Sequence, residues 1–164
     1  MPEVHLEKVD WKNYYQITQL KVAKAQKDFV ASNEWSLVHA YAALASGAPV
    51  YPFGIYLGKK PIGFVMVCYD APFLDESDPE CLKRTYCIWR FMIDKRYQGK
   101  GYGRKALERT IDFIKTFPAG KSNICWLSYE PSNEGARHLY ASLGFAEAPE
   151  YYVEGEEMPA ILKL

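Results

Sequence analysis

The chain has 164 residues, 49% of them hydrophobic, which is enough for one domain with a sizeable core and argues against a disordered segment. Twenty basic and twenty acidic residues cancel, so no global field draws nucleic acid or an anionic membrane. The start, Met1-Pro2-Glu3-Val4-His5, has no signal-peptide apolar region and no run approaches membrane-spanning length, so a cytoplasmic protein forming a single domain over residues 1–164 is expected.

Aromatic residues make up 15% of the chain, enough to wall a cleft as well as fill a core. Cys68, Cys81, Cys87 and Cys125 show no C-x-x-C spacing, and three of them sit in apolar runs, which reads as buried thiols rather than disulfides. His5, His39 and His138 are too scattered for ligands, so no metal site is expected.

Val4 to Val9 alternates apolar and polar residues, the period of a half-buried strand. Tyr14, Ile17, Leu20 and Lys21 recur at helical spacing and predict a helix over 14–22. Asn33-Glu34-Trp35-Ser36 supplies polar start signals for a second helix whose stripe is Leu37, Val38, Tyr41, Leu44 and Ala45, stopping near Ser46-Gly47. Tyr51–Leu57 and Ile62–Tyr69, joined by Gly58-Lys59-Lys60-Pro61, read as a hairpin. The acid- and proline-rich segment 70–79 is a loop, and Thr85 to Ile93 is a third long strand.

That strand runs into Arg96-Tyr97-Gln98-Gly99-Lys100-Gly101-Tyr102-Gly103-Arg104, a turn with three alternating glycines. Glycine lets backbone N–H groups approach a bound group, and the following helix start adds unpaired donors and a positive dipole end. Together they form a site for a phosphate or pyrophosphate, reinforced by Lys95, Arg96, Lys100, Arg104 and Lys105. The run is G-x-G-x-G rather than the G-x-G-x-x-G of dinucleotide sites, and Gly120-Lys121-Ser122 has Lys115 where a P-loop requires glycine. A plain tight connection is the competing account of the glycines alone.

Ala106, Leu107, Thr110, Ile111 and Ile114 then mark an amphipathic helix ending before Pro118. Ile124 to Ser128 is a buried strand, which makes a βαβ unit with a parallel pair and a right-handed crossover. Asn133 can cap a last helix bearing Ala136, Leu139, Tyr140 and Leu143, closed by Gly144. Phe145–Ala148 and Met158–Leu164 are terminal strands around an acidic turn, 154–157. The fold class is α/β, a mixed and mostly antiparallel sheet with a central parallel pair and helices on both faces.

Gln98-x-x-Gly101-x-Gly103 fits the Q/R-x-x-G-x-G/A motif of the GNAT acetyltransferases, and Asn133-Glu134-Gly135-Ala136-Arg137-His138-Leu139-Tyr140-Ala141-Ser142-Leu143-Gly144-Phe145 is similar to their N-x-x-A-x-x-L-Y-x-x-x-G-F run. The element order also resembles the GNAT fold over nearly the whole chain. Within that superfamily, Trp89 to Asp94, Tyr97 to Gly103 and Leu127 to Pro131 most resemble the bacterial spermine/spermidine acetyltransferases. The resemblance implies acetyl-coenzyme A (acetyl-CoA) as co-substrate, no metal, and a primary amine of a small polyamine as acceptor. Another amine acceptor (aminoglycoside, amino acid or protein amine) and a non-catalytic acyl-CoA sensor are the competing readings. Members of the family are often homodimers, and nothing in the sequence locates an interface.

The same resemblance assigns site residues. Backbone groups of Gln98, Gly99, Lys100, Gly101, Tyr102, Gly103 and Arg104 would hold the pyrophosphate, with Arg104 also pairing by charge. Phe91, Met92 and Ile93 would pair with the pantetheine arm as an added strand. Asn133 matches the residue that contacts that arm, with helix capping as its competing role. Arg137 could reach the cofactor phosphates or stand solvated. Tyr140 matches the tyrosine that protonates the departing thiolate, against a plain core role; a phenol, neutral at pH 7, suits that task. The base is less defined, because the strand before the turn offers Trp89 and Arg90 where relatives often carry a carboxylate; Glu130 is the first candidate and Glu34 the second. Glu34, Trp35 and Glu154 are the proposed acceptor contacts, alongside Tyr41, Asp70, Asp75, Glu76 and Tyr151, since a polyamine calls for carboxylates among aromatic walls.

Overall fold

A computed structural model describes residues 2–164, so Met1, part of the start read for a leader, lies outside the described residues. The strands are β1 (Val4–Lys8), β2 (Val50–Leu57), β3 (Lys60–Tyr69), β4 (Tyr86–Ile93), β5 (Ile124–Tyr129), β6 (Ala146–Glu147) and β7 (Met158–Lys163). The helices are α1 (Tyr14–Thr18), α2 (Asn33–Ala45), α3 (Tyr102–Ile114) and α4 (Glu134–Ser142). Among the described residues they build one seven-stranded sheet in the order β1-β2-β3-β4-β5-β7-β6. Every neighbouring pair is antiparallel except β4 and β5. The mixed sheet and the βαβ crossover through α3 match the expectation from sequence.

The sheet divides the core in two. Successive side chains of a strand point to opposite faces. In β3 this sends Phe64, Met66 and Cys68 to the face covered by α1 and α2, and Val65 and Val67 to the face covered by α3 and α4. All five are fully buried. From α3 come Ala106, Leu107, Thr110, Ile111 and Ile114, the stripe read from the sequence. Burying a side chain such as Leu107 or Ile114 contributes about 1.5–3 kcal/mol, so this stripe fixes α3 on the sheet. The Thr110 hydroxyl donates to the Ala106 carbonyl at 2.8 Å, which lets a polar residue sit inside the stripe.

Two helices depart from expectation. α1 stops at Thr18 instead of continuing to Val22. The Thr18 hydroxyl donates to the Tyr15 carbonyl at 2.7 Å, and the Lys21 backbone N–H donates to the buried Asp94 carboxylate at 3.0 Å. That long-range bond draws the chain out of the helical ladder. In α2 the expected stripe is not the buried one. Asn33, Ser36, Ala40 and Ala43 face the sheet, while Val38, Tyr41 and Leu44 are 51%, 77% and 49% exposed. Small side chains bring this helix close to the sheet, and the polar ones are satisfied there: the Asn33 amide donates to the Ile17 carbonyl at 2.8 Å and the Ser36 hydroxyl to the Ser32 carbonyl at 2.9 Å. The second terminal strand pairing is also shorter than expected, with β6 only two residues long. Cys68, Cys87 and Cys125 are buried free thiols and Cys81 is exposed.

The parallel pair is what opens the molecule. β4 and β5 pair only at Tyr86 with Cys125 and Cys87 with Trp126, then diverge. On its other edge β4 continues with β3, but Met66 faces Arg90 and Val67 faces Ile88, which leaves Trp89 as an extra, bulged residue. A bulge bends its strand and increases its twist. From Ile88 onward, β4 therefore has an edge that β5 does not cover.

Candidate active site

A cleft of about 690 Å³ occupies the gap between the diverging strands. One wall is Ile88 to Ile93 of β4, the other Ser128 and Tyr129 of β5 with Tyr140 of α4, and the loop Gln26 to Ala31 covers one side. At the C-terminal end of β4 lies the glycine turn. Gly99 and Gly101 adopt φ of 71° and 80°, left-handed backbone in which a side chain is strained. No side chain caps α3 at Gly101, so the first-turn N–H groups are left for solvent or a ligand. The Gln98 amide donates to the Ile93 carbonyl and to Gln26 Oε1, both at 2.9 Å, and so ties the turn to the strand end and to the covering loop. Asp94 holds the preceding helical turn by accepting from the Arg96 backbone N–H at 3.0 Å.

Phe91, Met92, Ile93, Gln98, Gly99, Gly101, Gly103, Arg104, Asn133 and Tyr140 all line this cleft. Arg104 is anchored by donating to Ser142 Oγ at 2.8 Å and lies 3.2 Å from Glu108. The Asn133 side chain accepts from the Ala136 N–H at 3.2 Å, so it caps α4 while its residue borders the cleft. Tyr140 is 8% exposed, with its ring centroid 5.6 Å from that of Tyr129 and 6.5 Å from that of Phe91. Burial first, then the charge of Glu157 and the neighbouring Tyr129, push its phenol well above the ordinary tyrosine range, so it is a protonated donor at neutral pH. Among the described residues its hydroxyl has no hydrogen-bond partner in the protein.

Other expected residues stand elsewhere. Lys100 Nζ donates to the Arg96 carbonyl at 3.2 Å and lies over the Tyr97 ring, and neither Lys100 nor Tyr102 borders the cleft. Arg137 is held by Glu134 at 3.0 Å and Glu147 at 2.9 Å. Glu130 lies outside the cleft lining, and its carbonyl accepts the Asn133 N–H at 2.8 Å in the turn before α4. Glu34 pairs with Lys21 at 3.1 Å, Trp35 packs on His39, and Glu154 is exposed in the turn before β7. None of the last three borders the cleft.

The cleft also brings in residues that the sequence reading did not select. Glu157 lies on its rim, and Ser128 Oγ donates to Glu157 Oε2 at 2.6 Å. The Tyr129 hydroxyl donates to Glu147, and burial followed by that hydrogen bond pushes its phenol up to about 12. Arg90 extends over Trp89, donates to His39 Nδ1 at 3.3 Å, and keeps a buried Nε without a partner. Desolvation lowers its guanidinium from the usual range, with the charge of Glu157 opposing the shift. The pairing itself has no local signal: Ser128 and Glu157 are 29 positions apart and meet through the β5–β7 register.

An unpaired strand edge, an N–H-rich glycine turn and a buried phenol in one cleft can take a diphosphate, an extended amide-bearing arm and a departing thiolate. Residues 10–145 match the family model for the acetyltransferase (GNAT) family. The chain belongs to the GNAT acetyltransferases. The spermine/spermidine N(1)-acetyltransferase of Bacillus subtilis is 33% identical over 109 residues, 65% of this chain and 66% of that relative's own length. The ribosomal protein bS18-alanine N-acetyltransferase of Escherichia coli is 37% identical over 82 residues, 47% of this chain and 53% of that one. The fold also matches a crystal structure of spermidine N-acetyltransferase from Vibrio cholerae in complex with CoA and spermine, with a TM-score of 0.69 and 18% identity, covering 98% of this chain and 95% of that one.

GNAT acetyltransferases use acetyl-CoA, and the residues of this GNAT chain fit that donor. Gly101 has open space where a side chain would project, and the nearest atoms to a Cβ at Gly103, from Leu139, Ile93 and Phe91, lie at ordinary distances, so a ligand can approach the turn closely. No group of His, Cys, Asp and Glu able to hold a metal is found among the described residues, and no helix there is long and apolar enough to cross a membrane.

Proposed function

We propose that this GNAT chain works as a single cytoplasmic domain that transfers the acetyl group of acetyl-CoA to a primary amine by direct attack, with spermidine and spermine as the acceptors. The observation that carries the transferase reading is the position of Tyr140, a buried protonated phenol on the same cleft as the glycine turn and the free edge of β4. In this reading, backbone groups of Gln98, Gly99, Gly101, Gly103 and Arg104 hold the pyrophosphate. Phe91, Met92 and Ile93 orient the pantetheine arm, and Asn133 borders it. Tyr140 gives its proton to the coenzyme A thiolate as the C–S bond breaks. A binding-only sensor has no use for that phenol at the splay.

The polyamine acceptor is supported by the Bacillus subtilis relative's activity and by the aromatic surface around Trp89, where His39 stacks at 5.7 Å and Phe73 packs at 5.2 Å. One observation favours a second reading. Arg90 borders the cleft with a buried, unpartnered Nε and no carboxylate within salt-bridge distance among the described residues. A cation there opposes a polycation and suits an amine that carries its own acceptor group, such as a peptide α-amine, which fits the Escherichia coli relative. Thiol release with a panel of spermidine, spermine, an aminoglycoside and an alanine-terminated peptide separates the readings. Release with either polyamine supports the first; release with the peptide alone favours the second.

A further inference from the structure

The transferase reading leaves one role unfilled: the group that takes the proton from the acceptor ammonium. β4 offers Trp89 and Arg90 rather than a carboxylate, and Glu130 lies off the cleft. Two carboxylates border the cleft, Asp28 and Glu157. Asp28 belongs to the loop that Gln26 ties to Gln98, so it stands at the glycine-turn end. Glu157 stands beside β5. Its Oε2 accepts from Ser128 Oγ at 2.6 Å, on the strand that also carries Tyr129 into the cleft. Its charge acts on both Tyr140 and Arg90, which line the same cleft.

We infer that Glu157 is the acceptor-side catalytic residue, holding the substrate ammonium by charge and taking its first proton, with Ser128 as the positioning residue that aims the carboxylate. The inference rests on the transferase reading above. Ser128 occupies Oε2 and leaves Oε1 without a protein partner among the described residues, so one oxygen is fixed and the other is free for the ammonium or a bridging water. The Ser128 hydroxyl of β5 touches Glu157 directly, and the Glu157 charge also reaches the Arg90 guanidinium of β4 and the Tyr140 phenol of α4 on the same cleft.

The protons balance. The ammonium gives one proton to Glu157, which passes it to solvent. The freed nitrogen lone pair forms the C–N bond as the C–S bond breaks. Tyr140 protonates the thiolate, and the second proton lost from nitrogen replaces the one that Tyr140 gave. The products are the N-acetylated amine, free thiol and one proton.

The test uses the full chain with Glu157→Gln, Ser128→Ala and the neighbouring control Glu156→Gln. At pH 7.5, Glu157→Gln is expected to lower kcat/KM for the accepted amine by about 10²–10⁴-fold. The deficit should shrink as the pH rises toward ~10.4, where a primary amine deprotonates without help. Ser128→Ala should show a smaller deficit of the same shape, and Glu156→Gln none. By calorimetry with coenzyme A present, Glu157→Gln should weaken amine binding about fivefold, as expected for one exposed charge pair, with coenzyme A affinity unchanged. A wild-type pH profile in Glu157→Gln, or a deficit constant across pH, overturns the assignment while the transferase reading stands. A wild-type chain that acetylates no amine at all overturns both.

Discussion

Asp94 accepts the Lys21 backbone N–H at 3.0 Å, across 73 residues, and the same carboxylate receives the Arg96 backbone at 3.0 Å and side chain at 2.8 Å. One buried acid thus joins the segment after α1 to the first turn of the glycine motif. It ends the helix early and sets where the turn begins.

This predicts a specific acid sensitivity. Burial by itself would raise the Asp94 carboxyl, but the hydrogen bonds from Arg96 and the Lys21 backbone outweigh it and hold it below the usual range. A depressed folded-state value contributes stability above the unfolded value of ~3.9, and that contribution is lost as pH falls through the folded value. Asp94→Ala should cost about 1 kcal/mol at pH 7 by leaving the half-buried Lys21 and Arg96 backbone donors unpaired. It should also flatten the loss of stability below pH ~4. Denaturant melts at pH 3 and pH 7 measure both effects.

The glycines of the turn should respond differently to a methyl group. Gly101 sits at φ 80°, so Gly101→Ala is expected to cost stability, about 1–3 kcal/mol for a strained left-handed residue, as well as ligand affinity. At Gly103 an added Cβ meets Leu139 Cδ2 at 3.5 Å, an ordinary contact, so Gly103→Ala should keep its melting temperature. A fall in acetyl-CoA affinity in that variant reads the ligand's approach alone, and unchanged calorimetry would remove Gly103 from the cofactor site.

Tyr140→Phe keeps the ring packed between Tyr129, Phe91 and Phe145 and deletes only the donor. Acetyl-CoA affinity should stay normal while turnover falls by about 10²–10⁴-fold. Unaltered turnover would return Tyr140 to the core.

Glu34 and Glu154 provide the contrasting case. Both are exposed and neither borders the cleft. Glu34→Gln and Glu154→Gln should leave KM for the acceptor unchanged, and Glu34→Gln should shift stability by no more than about 1 kcal/mol through its exposed pair with Lys21. A raised KM in either variant would show that the acceptor site extends beyond the cleft.

Much of the fold was legible because its signals are local. The stripe on α3, the hairpin turn at Gly58-Lys59 and the Asn133 cap each depend on residues a few positions apart. Two short motifs and their strand–turn–helix setting were enough to place the glycine turn and Tyr140 on one protein surface. The helices that failed did so through distant partners: Asp94 cut α1 short, and the sheet accepted the small face of α2 rather than its apolar one. The acceptor end was illegible for the same reason. Glu157 reaches the cleft rim through the register of β7 against β5, and no spacing along the chain encodes its meeting with Ser128. The sequence reading chose Glu34 and Glu154 from twenty acidic residues because a polyamine calls for carboxylates among aromatic walls, and neither borders the cleft.

The most direct test is mass spectrometry of spermidine and spermine after incubation with the full chain and acetyl-CoA, with free thiol counted in parallel. The account predicts a product heavier by one acetyl group, one thiol released per acetyl transferred, and both slowed by about 10²–10⁴-fold in Tyr140→Phe. Unmodified polyamines alongside an acetylated alanine-terminated peptide would contradict the polyamine acceptor. Tight acetyl-CoA binding with no acetylated product from any amine would contradict the enzyme itself.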